Sequence, residues 1–292
     1  MGVRKRRLPP GWYPDTAEQT LKEIGEMGGL ASGFHDPASA LAADARQACA
    51  GILPHAGWHF SGRLALEVLS SLTRGIDTIV IIGGHMGSTD RILSAFEDSY
   101  ETPLGELKAD LGLLEALRSG LDIREDRERD NTVEVHLPLV RYLAPEALVL
   151  GMRAPPSPLA AALGKAIAEA AAVLGRRVAV AGSTDLTHYG SNYDFSPAGS
   201  GAEAQRWVRE VNDRRIVQSM LDLDIDLALE GARRERSACS IGGAAAAMRF
   251  ARESGVSSGK LVGYMTSSDV QPGESFVGYA GIIYPRGDLS GS

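Results

Sequence analysis

The stretch ACAGILPHAGWHFSGRLALEVLSSL, residues 48–72, carries the pattern that decides the fold. Its first six residues, Ala48–Leu53, form a short run of apolar and small side chains, which predicts a buried strand. A turn containing His55 follows, and the segment Gly62–Leu72 then spaces its leucines and valine along one face of a helix. Ser61 stands directly ahead of this helix as its expected cap. A strand followed by a crossover helix is the unit that builds a parallel sheet.

The same alternation continues along the chain and predicts an α/β fold with a largely parallel sheet. The segment Gly182–Gly201 is predicted to be a long loop, of a length that is often functional. No repeat or Pro/Ser-rich linker divides the chain, so we expect a single domain over residues 1–292. The other predicted strands are Thr78–Ile82, Ala147–Met152, Val178–Ala181, Leu261–Met265 and Phe276–Tyr284. The predicted helices are Thr16–Met27, Gly62–Leu72, Asp110–Ser119, Glu134–Leu143, Pro158–Leu174, Ala202–Met220, Asp224–Glu230 and Gly242–Glu253.

The composition limits the class of protein. The chain has 292 residues and a formal net charge of −7, which argues against a protein that coats nucleic acid through clustered Lys and Arg. The one basic cluster, Arg4–Arg7, is expected to be a solvated tail, with a local contact to an anion as the alternative. No apolar run approaches the roughly 20 residues of a membrane span. The most aliphatic stretch, Leu159–Leu174, is short and carries Lys165 and Glu169, so it is expected to be a packed helix.

The number of cysteines and the absence of common motifs further limit the compartment and the cofactors that the sequence supports. Two cysteines in a chain of this length do not form a disulfide framework, and no charged-then-apolar leader opens the sequence, so we expect a reducing cytoplasmic compartment. Cys49 lies inside the first predicted strand and is expected to be a core residue. The sequence contains no GxGxxG after a strand and no GxxxxGK[ST] pattern, so nucleotide cofactors have no support. It also contains no GxSxG elbow and no HExxH helix.

Polar residues follow three of the predicted strands, at the positions where open α/β sheets bind ligands. These groups are Pro54-His55-Ala56-Gly57, Gly83-Gly84-His85 and Ser183-Thr184-Asp185-Leu186-Thr187-His188. Imidazole is the commonest nitrogen ligand of iron, copper and zinc, and two histidines at neighbouring strand ends can meet at one ion. His55 and His85 are therefore candidate metal ligands. The alternative for each is a strand-end histidine that is bonded to a backbone carbonyl.

Cys239 precedes the Ala-rich helix that is predicted to begin at Gly242. A thiol close to a helix N-terminus is shifted toward thiolate, the form that binds metals or attacks electrophiles. The alternative is a small buried hydrophobic residue. Cys239 is thus the third candidate ligand.

Asp185 and His188 lie three residues apart at the end of a strand, where the carboxylate could orient the imidazole as a general base. The alternative is a turn-capping Asp beside a surface histidine. Glu134 and His136 alternate with apolar residues, so one of them could line the same pocket. For Glu134 the stronger interpretation is a carboxylate at the start of a helix.

The motifs together resemble the Memo-like family, which includes bacterial and archaeal members found alongside radical-SAM proteins. The resemblance runs through almost the whole chain, and its specificity comes from the order and spacing of the pieces. They are Trp12-Tyr13-Pro14, Pro54-His55-Ala56-Gly57-Trp58, Gly83-Gly84-His85, Tyr100-Glu101-Thr102-Pro103-Leu104-Gly105, Glu134-Val135-His136-Leu137-Pro138, Thr184-Asp185-Leu186-Thr187-His188-Tyr189-Gly190, Cys239 and Ser275-Phe276-Val277-Gly278-Tyr279-Ala280.

The resemblance implies a three-layer α/β/α fold like that of class III extradiol dioxygenases, with a mixed, largely parallel sheet and a pocket at the strand ends. It implies that His55, His85 and Cys239 bind a metal, Fe(II) first and copper or zinc as alternatives. Asp185 and His188 match the acidic and basic pair beside that metal. The implied partners are a small-molecule or peptide ligand in the pocket and proteins of the radical-SAM class.

The chain departs from the family pattern at two positions. Family members often carry a Gly-Pro-(Ser/Asn)-His turn at the second histidine, whereas this chain has Ile82-Gly83-Gly84-His85 without the proline. Many members carry Glu-His-Ser where this chain has Asp130-Asn131-Thr132, so a pocket histidine is expected to be missing.

Three functions are compatible with these residues. The first is an iron-dependent redox enzyme of the extradiol type, in which His188 acts as an acid or base; a thiolate would replace the usual third carboxylate ligand. The second is a non-enzymatic metal-binding or phosphopeptide-binding adaptor that keeps the same pocket. The third is a hydrolase or covalent catalyst that uses Cys239 with His188.

Overall fold

The computed structural model describes residues 2–29 and 48–286. A 3-10 turn at Ser191–Tyr193 and a π-helical turn at Val208–Asn212 add to the regular elements. The strands are β1 (Val3–Arg4), β2 (Ala48–Leu53), β3 (Thr78–Gly83), β4 (Ile92–Ser94), β5 (Ser99–Thr102), β6 (Gly105–Lys108), β7 (Ile123–Glu125), β8 (Leu148–Arg153), β9 (Val178–Ser183), β10 (His188–Tyr189), β11 (Lys260–Thr266) and β12 (Phe276–Pro285). The helices are α1 (Ala17–Gly29), α2 (Trp58–Leu72), α3 (Leu111–Arg118), α4 (Asn131–Glu134), α5 (Leu137–Leu143), α6 (Pro158–Leu174), α7 (Gly201–Trp207), α8 (Asp213–Leu221), α9 (Ile225–Glu235), α10 (Ile241–Glu253) and α11 (Ser267–Val270).

Most of the strands form one large mixed sheet in the order β10, β12, β2, β9, β3, β8, β4, β7, and β11 pairs with a further part of β12. Its centre, β2-β9-β3-β8, is parallel. The strands β12, β11, β10 and β4 join it in antiparallel fashion. The parallel centre places the carboxyl ends of β2, β9 and β3 side by side at one edge, where ligands bind in this class of fold.

Side chains alternate between the two faces of the sheet and divide the core into two layers. On β3, Val80 and Ile82 belong to the cluster that includes Leu163 of α6, whereas Ile79 and Ile81 belong to the cluster around α2. Because both faces are covered by helices, the strands read as continuous apolar runs. The predicted α/β/α arrangement with a mixed, largely parallel sheet is confirmed.

Helix α10 packs closely against the sheet, because the residues that it turns toward the sheet are small. Ala244–Ala247 are fully buried, and a side chain at Gly243 would overlap the carbonyl of Ile82. This close approach brings the start of α10, and with it Cys239, to the carboxyl ends of the central strands. The Ala- and Gly-rich composition of the helix therefore positions the candidate site.

The basic N-terminal cluster is paired rather than solvated. Arg4 donates to the backbone and carboxylate of Asp126, and Lys5 forms an ion pair with Glu101. Strand β1 also pairs with β5 in a small second sheet, order β1-β5-β6. The expected solvated tail is wrong, because Arg4 and Lys5 pair with acidic groups distant in sequence and Arg6 pairs with Asp15. The contacts are to anionic side chains of the same chain.

All six predicted strands are confirmed, with ends that differ by no more than two residues. The remaining strands were not predicted, because they have only two to four residues, and two of them, β6 and β7, are largely exposed. Gly182 and Ser183 belong to β9 rather than to the predicted loop, and that loop contains β10.

Four helix predictions need correction. The helix predicted over Asp224–Glu230 extends to Glu235, and the one predicted over Ala202–Met220 is divided by the π-helical turn Val208–Asn212. Helix α2 begins at Trp58 with Gly57 as its cap, and Ser61 lies buried in its first turn, where the hydroxyl donates to the carbonyl of Ala56. The predicted helix Glu134–Leu143 is two short helices, α4 and α5, which meet at Val135 and His136. Within the described residues, no helix has the length and apolar character needed to cross a membrane.

Candidate metal centre

The carboxyl ends of β2, β9 and β3 form the floor of an open cleft of about 650 Å³. His55 follows β2, His85 follows β3 and Asp185 follows β9. The walls come from distant parts of the chain: Pro10-Gly11-Trp12, His59, Phe60, Asn131, His188, Tyr193, Ser267, Gln271-Pro272-Gly273, Ser275, Val277 and Tyr279. Four of the sequence-predicted residues, His55, His85, Asp185 and His188, therefore meet at one cleft.

His55 is buried on the floor of the cleft, with both ring nitrogens in defined contacts. Its Nδ1 lies 3.0 Å from Oγ of Ser183, and its Nε2 lies 3.3 Å from Sγ of Cys239. Burial and the nearby His85 lower the pKa of His55 to about 3, so its imidazole is neutral at physiological pH. A neutral ring with Nδ1 held by an oxygen is able to offer Nε2 as a metal ligand.

His85 extends from the turn after β3 and is partly exposed. Gly84 makes this turn possible, because its φ of +112° belongs to the region that favours glycine and a side chain there would come within 2.8 Å of Arg153. Gly84 thus allows the tight turn that carries His85 out of β3. The ring of His85 meets that of His55 edge to face, with centroids 5.1 Å apart.

Asp130 orients His85 from the opposite side of the site. Its Oδ2 lies 3.3 Å from Nδ1 of His85, and its Oδ1 accepts from the backbone and side chain of Thr132. Burial acts to raise the pKa of Asp130, but the hydrogen bonds from His85 and Thr132 and the charge of Arg153 together hold it well below its usual value. An ionised carboxylate on Nδ1 leaves Nε2 of His85 free to face a metal.

Cys239 lies two residues before α10, and its thiol faces His55. The backbone N–H of Cys239 donates to the carbonyl of Asp185 at 3.2 Å. The expected shift toward thiolate is wrong for the metal-free protein, because burial and the carboxyl of Asp185 raise the pKa of this thiol well above its usual value. Cys49, in contrast, is fully buried in β2 as expected for a core residue, and both cysteines are free.

Asp185 and His188 flank the same point, but their contact differs from the predicted one. The distance from Oδ2 of Asp185 to Nε2 of His188 is 4.0 Å, which is too long for a hydrogen bond. Asp185 instead accepts the backbone N–H of His55 at 2.7 Å. The expected orientation of His188 by Asp185 is therefore wrong; His188 packs against the ring of Tyr193 at 4.8 Å. Burial raises the pKa of Asp185 to about 6, and burial lowers the pKa of His188.

These donor atoms lie close enough together to be candidate ligands of one metal ion. The candidate ligand atoms of His55, His85 and Cys239 all lie within 4.8 Å of one another, and so do those of Asp185, His188 and Cys239. Nitrogen and sulfur ligands bound at about 2.05 and 2.3 Å would be about 3.1 Å apart at right angles and about 3.6 Å apart in a tetrahedron. The 3.3 Å between His55 and Cys239 lies between these values. Imidazole with thiolate suits zinc, copper and iron.

Two further residues at the site carried only weak sequence signals. His136 is buried beneath the floor, with Nε2 3.1 Å from Oγ of Ser183. Asn131 lines the cleft and donates its side-chain N–H to the carbonyl of His55 at 2.9 Å, so an amide stands where many family members carry a histidine. Glu134 does not line the cleft; it accepts hydrogen bonds from the N-terminal segment. His59 also lies on the cleft wall.

The fold and site define an α/β protein with a histidine–cysteine cluster at the carboxyl edge of its sheet. The sequence model of the Memo-like protein family matches residues 4–283. The chain is 31% identical to a MEMO1 family protein of Pyrococcus abyssi, with 92% of each chain covered. It is 34% identical to one of Thermococcus onnurineus, with 97% of this chain and 100% of the relative covered. The chain therefore belongs to the Memo-like family.

Proposed function

We propose that this chain is a non-haem metalloprotein that binds iron, or alternatively copper or zinc, through His55, His85 and Cys239. We further propose that it acts as an oxidoreductase of the extradiol dioxygenase type on a small-molecule or peptide ligand in the cleft. The observation that supports the proposal is the convergence of the three ligand atoms within 4.8 Å, with His55 and His85 lining an open cleft and Cys239 in contact with His55. Three protein ligands leave coordination positions for other groups.

The surrounding residues would hold the ligands and handle protons. A bound redox metal would supply the capacity to activate dioxygen or substrate. Nδ1 of His55 lies within hydrogen-bond distance of Ser183, and Nδ1 of His85 lies within hydrogen-bond distance of Asp130. These contacts leave Nε2 of each ring as the atom that would bind the metal. The Nε2 of His188 is buried and has no hydrogen-bond partner within the described segments. It is available to take a proton from a substrate hydroxyl or to return one.

The two rival functions make different demands on the same residues. A phosphopeptide adaptor requires Arg or Lys to bind the phosphate, yet the described residues that line the cleft include neither. A metal-binding adaptor of another kind would retain the site without catalysis. A Cys–His nucleophile would pair Cys239 with His55 rather than with His188. Burial favours the neutral form of both groups and so opposes the reactive ion pair.

The first experiment is elemental analysis of protein purified without oxygen. We expect near-stoichiometric iron or copper in the unaltered chain and its loss in His55→Ala and Cys239→Ala. His59→Ala and Cys49→Ala are matched controls. They remove a histidine and a cysteine that are not proposed ligands, the first from the cleft wall and the second from the core. Failure of the unaltered protein to take up any metal after reconstitution would exclude the proposal.

Dioxygen uptake with a panel of catechols then separates an enzyme from an adaptor. Uptake that depends on His188 supports the oxidoreductase, whereas tight metal binding without uptake supports the adaptor. We also propose a reducing cytoplasmic location, which the two free thiols support, and an association with radical-SAM proteins. Co-purification from the native source would test the association.

A further inference from the structure

Side chains at the end of the π-helical turn contact the strand-end turn that carries His188. The π-helical turn covers Val208–Asn212, between α7 and α8. The side-chain N–H of Asn212 donates to Oγ1 of Thr187 at 2.8 Å. The carboxylate of Asp213 accepts both the backbone N–H and the hydroxyl of Thr187, the residue directly before His188. π-Helical turns are rare and are frequently found at functional sites.

These contacts are buried and closely packed. Thr187, Asn212 and Asp213 are each at most 1% exposed. A side chain at Gly278 of β12 would overlap the carboxylate of Asp213, so a glycine is needed there for the carboxylate to reach Thr187. The second carboxylate oxygen of Asp213 accepts from the hydroxyl of Tyr264 at 2.7 Å. Because a buried polar group without a partner costs free energy, this network fixes the backbone at Thr187.

The position of His188 depends on that backbone, because no hydrogen bond within the described residues holds its ring. Its Nε2 is buried without a partner, and the nearest oxygen of Asp185 is 4.0 Å away. The ring packs against that of Tyr193, with centroids 4.8 Å apart. The chain at Thr187 and His188 therefore decides where the imidazole lies.

The same π-helical turn also contacts a second part of the cleft wall. Arg209 donates to the hydroxyl of Thr266 at 2.8 Å and to the carboxylate of Asp269 at 2.6 Å. These two residues flank Ser267, which lines the cleft, and form the capping box of α11. One turn of helix thus contacts both the chain that carries His188 and the start of α11.

We propose that Asn212 and Asp213 are positioning residues that, through Thr187, place the ring of His188 in the cleft. The importance of this placement rests on the proposed function, in which His188 takes a proton from a substrate hydroxyl or returns one. An error of about 1 Å in the position of such a group can slow a reaction about 100-fold. The placement itself is a property of the protein without metal or substrate.

The first test is NMR of His188 in the metal-free protein, because the neighbouring ring of Tyr193 shifts the resonances of its ring protons. Thr187→Val removes the hydroxyl with little change of shape. We expect the His188 resonances to move toward the positions that they take in Tyr193→Leu. Asp213→Leu should have the same effect. Asp213→Asn, which keeps an oxygen for Thr187, should leave the resonances largely in place.

The matched control is Thr78→Val. Thr78 is also fully buried, and its hydroxyl donates to a buried aspartate, Asp110. It lies at the start of β3, whereas the cleft lies at the other end of that strand. A general loss of stability should therefore leave His188 in place. Unmoved resonances in both Thr187→Val and Asp213→Leu, or an equal movement in Thr78→Val, would overturn the inference.

Dioxygen uptake in a double-variant comparison gives the second readout. With a catechol that the unaltered chain oxidises, Thr187→Val should lower kcat about 10- to 100-fold without loss of metal. In His188→Ala the same change should have no further effect, because Thr187 acts through that ring. Equal losses in the two backgrounds would contradict the inference. If the unaltered chain shows no uptake, the proposed oxidoreductase function fails, and the NMR comparison alone decides whether Asn212 and Asp213 position His188.

Discussion

The Sγ atom of Cys239 lies 3.3 Å from Nε2 of His55, although 184 positions separate the two residues in the chain. This contact is compatible with a shared metal ion and with a Cys–His nucleophile. The two interpretations predict different reactivity of the thiol. A metal ligand is shielded when the ion is bound, whereas an activated nucleophile stays reactive at mildly acid pH.

We predict that one equivalent of zinc slows alkylation of Cys239 by iodoacetamide at least about tenfold, because the bound thiolate is no longer free. The protection should disappear in His55→Ala. Peptide mass mapping distinguishes Cys239 from Cys49, which is fully buried and should not react in either state. Fast alkylation near pH 6 that zinc does not affect would favour the nucleophile.

Asp130→Asn should weaken metal binding about tenfold or more, because the charge that orients His85 is lost. Calorimetric zinc titration measures the effect. The matched control is Asp126→Asn, because Asp126 pairs with the same Arg153 and does not contact His85. Similar losses of affinity in the two variants would show that the effect arises from the shared arginine and not from the histidine.

Glu134→Gln should loosen the N-terminal segment that forms one wall of the cleft. The carboxylate of Glu134 accepts from the backbone of Arg7 and Leu8 and from the hydroxyl of Tyr13. Hydrogen bonds to a charged group contribute about 1.5–3 kcal/mol, so we expect trypsin to cleave the Arg4–Arg7 cluster at least about tenfold faster. Glu18→Gln, an exposed change on α1, should have no effect. An unchanged cleavage rate in Glu134→Gln would show that other contacts hold the segment.

Asp213 should make stability depend on pH. It lies buried behind the Asp185–His188 turn, where Thr187 and Tyr264 donate to its carboxylate. Burial outweighs these donors and raises its pKa from 3.8 to about 6. A carboxyl whose pKa is raised by folding contributes stability below pH 4, and that contribution is lost as the pH rises through 6.

The matching measurement is urea unfolding of the unaltered chain and of Asp213→Asn between pH 4 and pH 7. The free energy of unfolding of the unaltered chain, relative to the variant, should fall by about 2 kcal/mol over this range. Asp226→Asn, an exposed change on α9, controls for the loss of one charge. A difference that stays constant or grows with pH would contradict the prediction.

Much of the fold followed from short-range patterns. The apolar runs of β2, β3 and β9 and the helical periodicity of α2 and α6 are local features, and their alternation implied parallel strands. Parallel strands align their carboxyl ends, so His55, His85 and Asp185 were expected at one edge from their positions after those strands. The short strands and the exact start of α2 were not accessible in this way, because single caps and two-residue pairings leave no periodic signal.

The sequence by itself thus determined the layers of the fold and which strand ends carry polar side chains, because periodicity and residue type act over a few neighbouring positions. Only the tertiary structure decided which side chains contact each other at the site. Cys239 reaches His55 because α10 packs closely on the sheet, and Ser183 joins His55 to His136 because β9 lies between β2 and β3. Burial, which is a property of the packed molecule, also reversed the expected ionisation of Cys239.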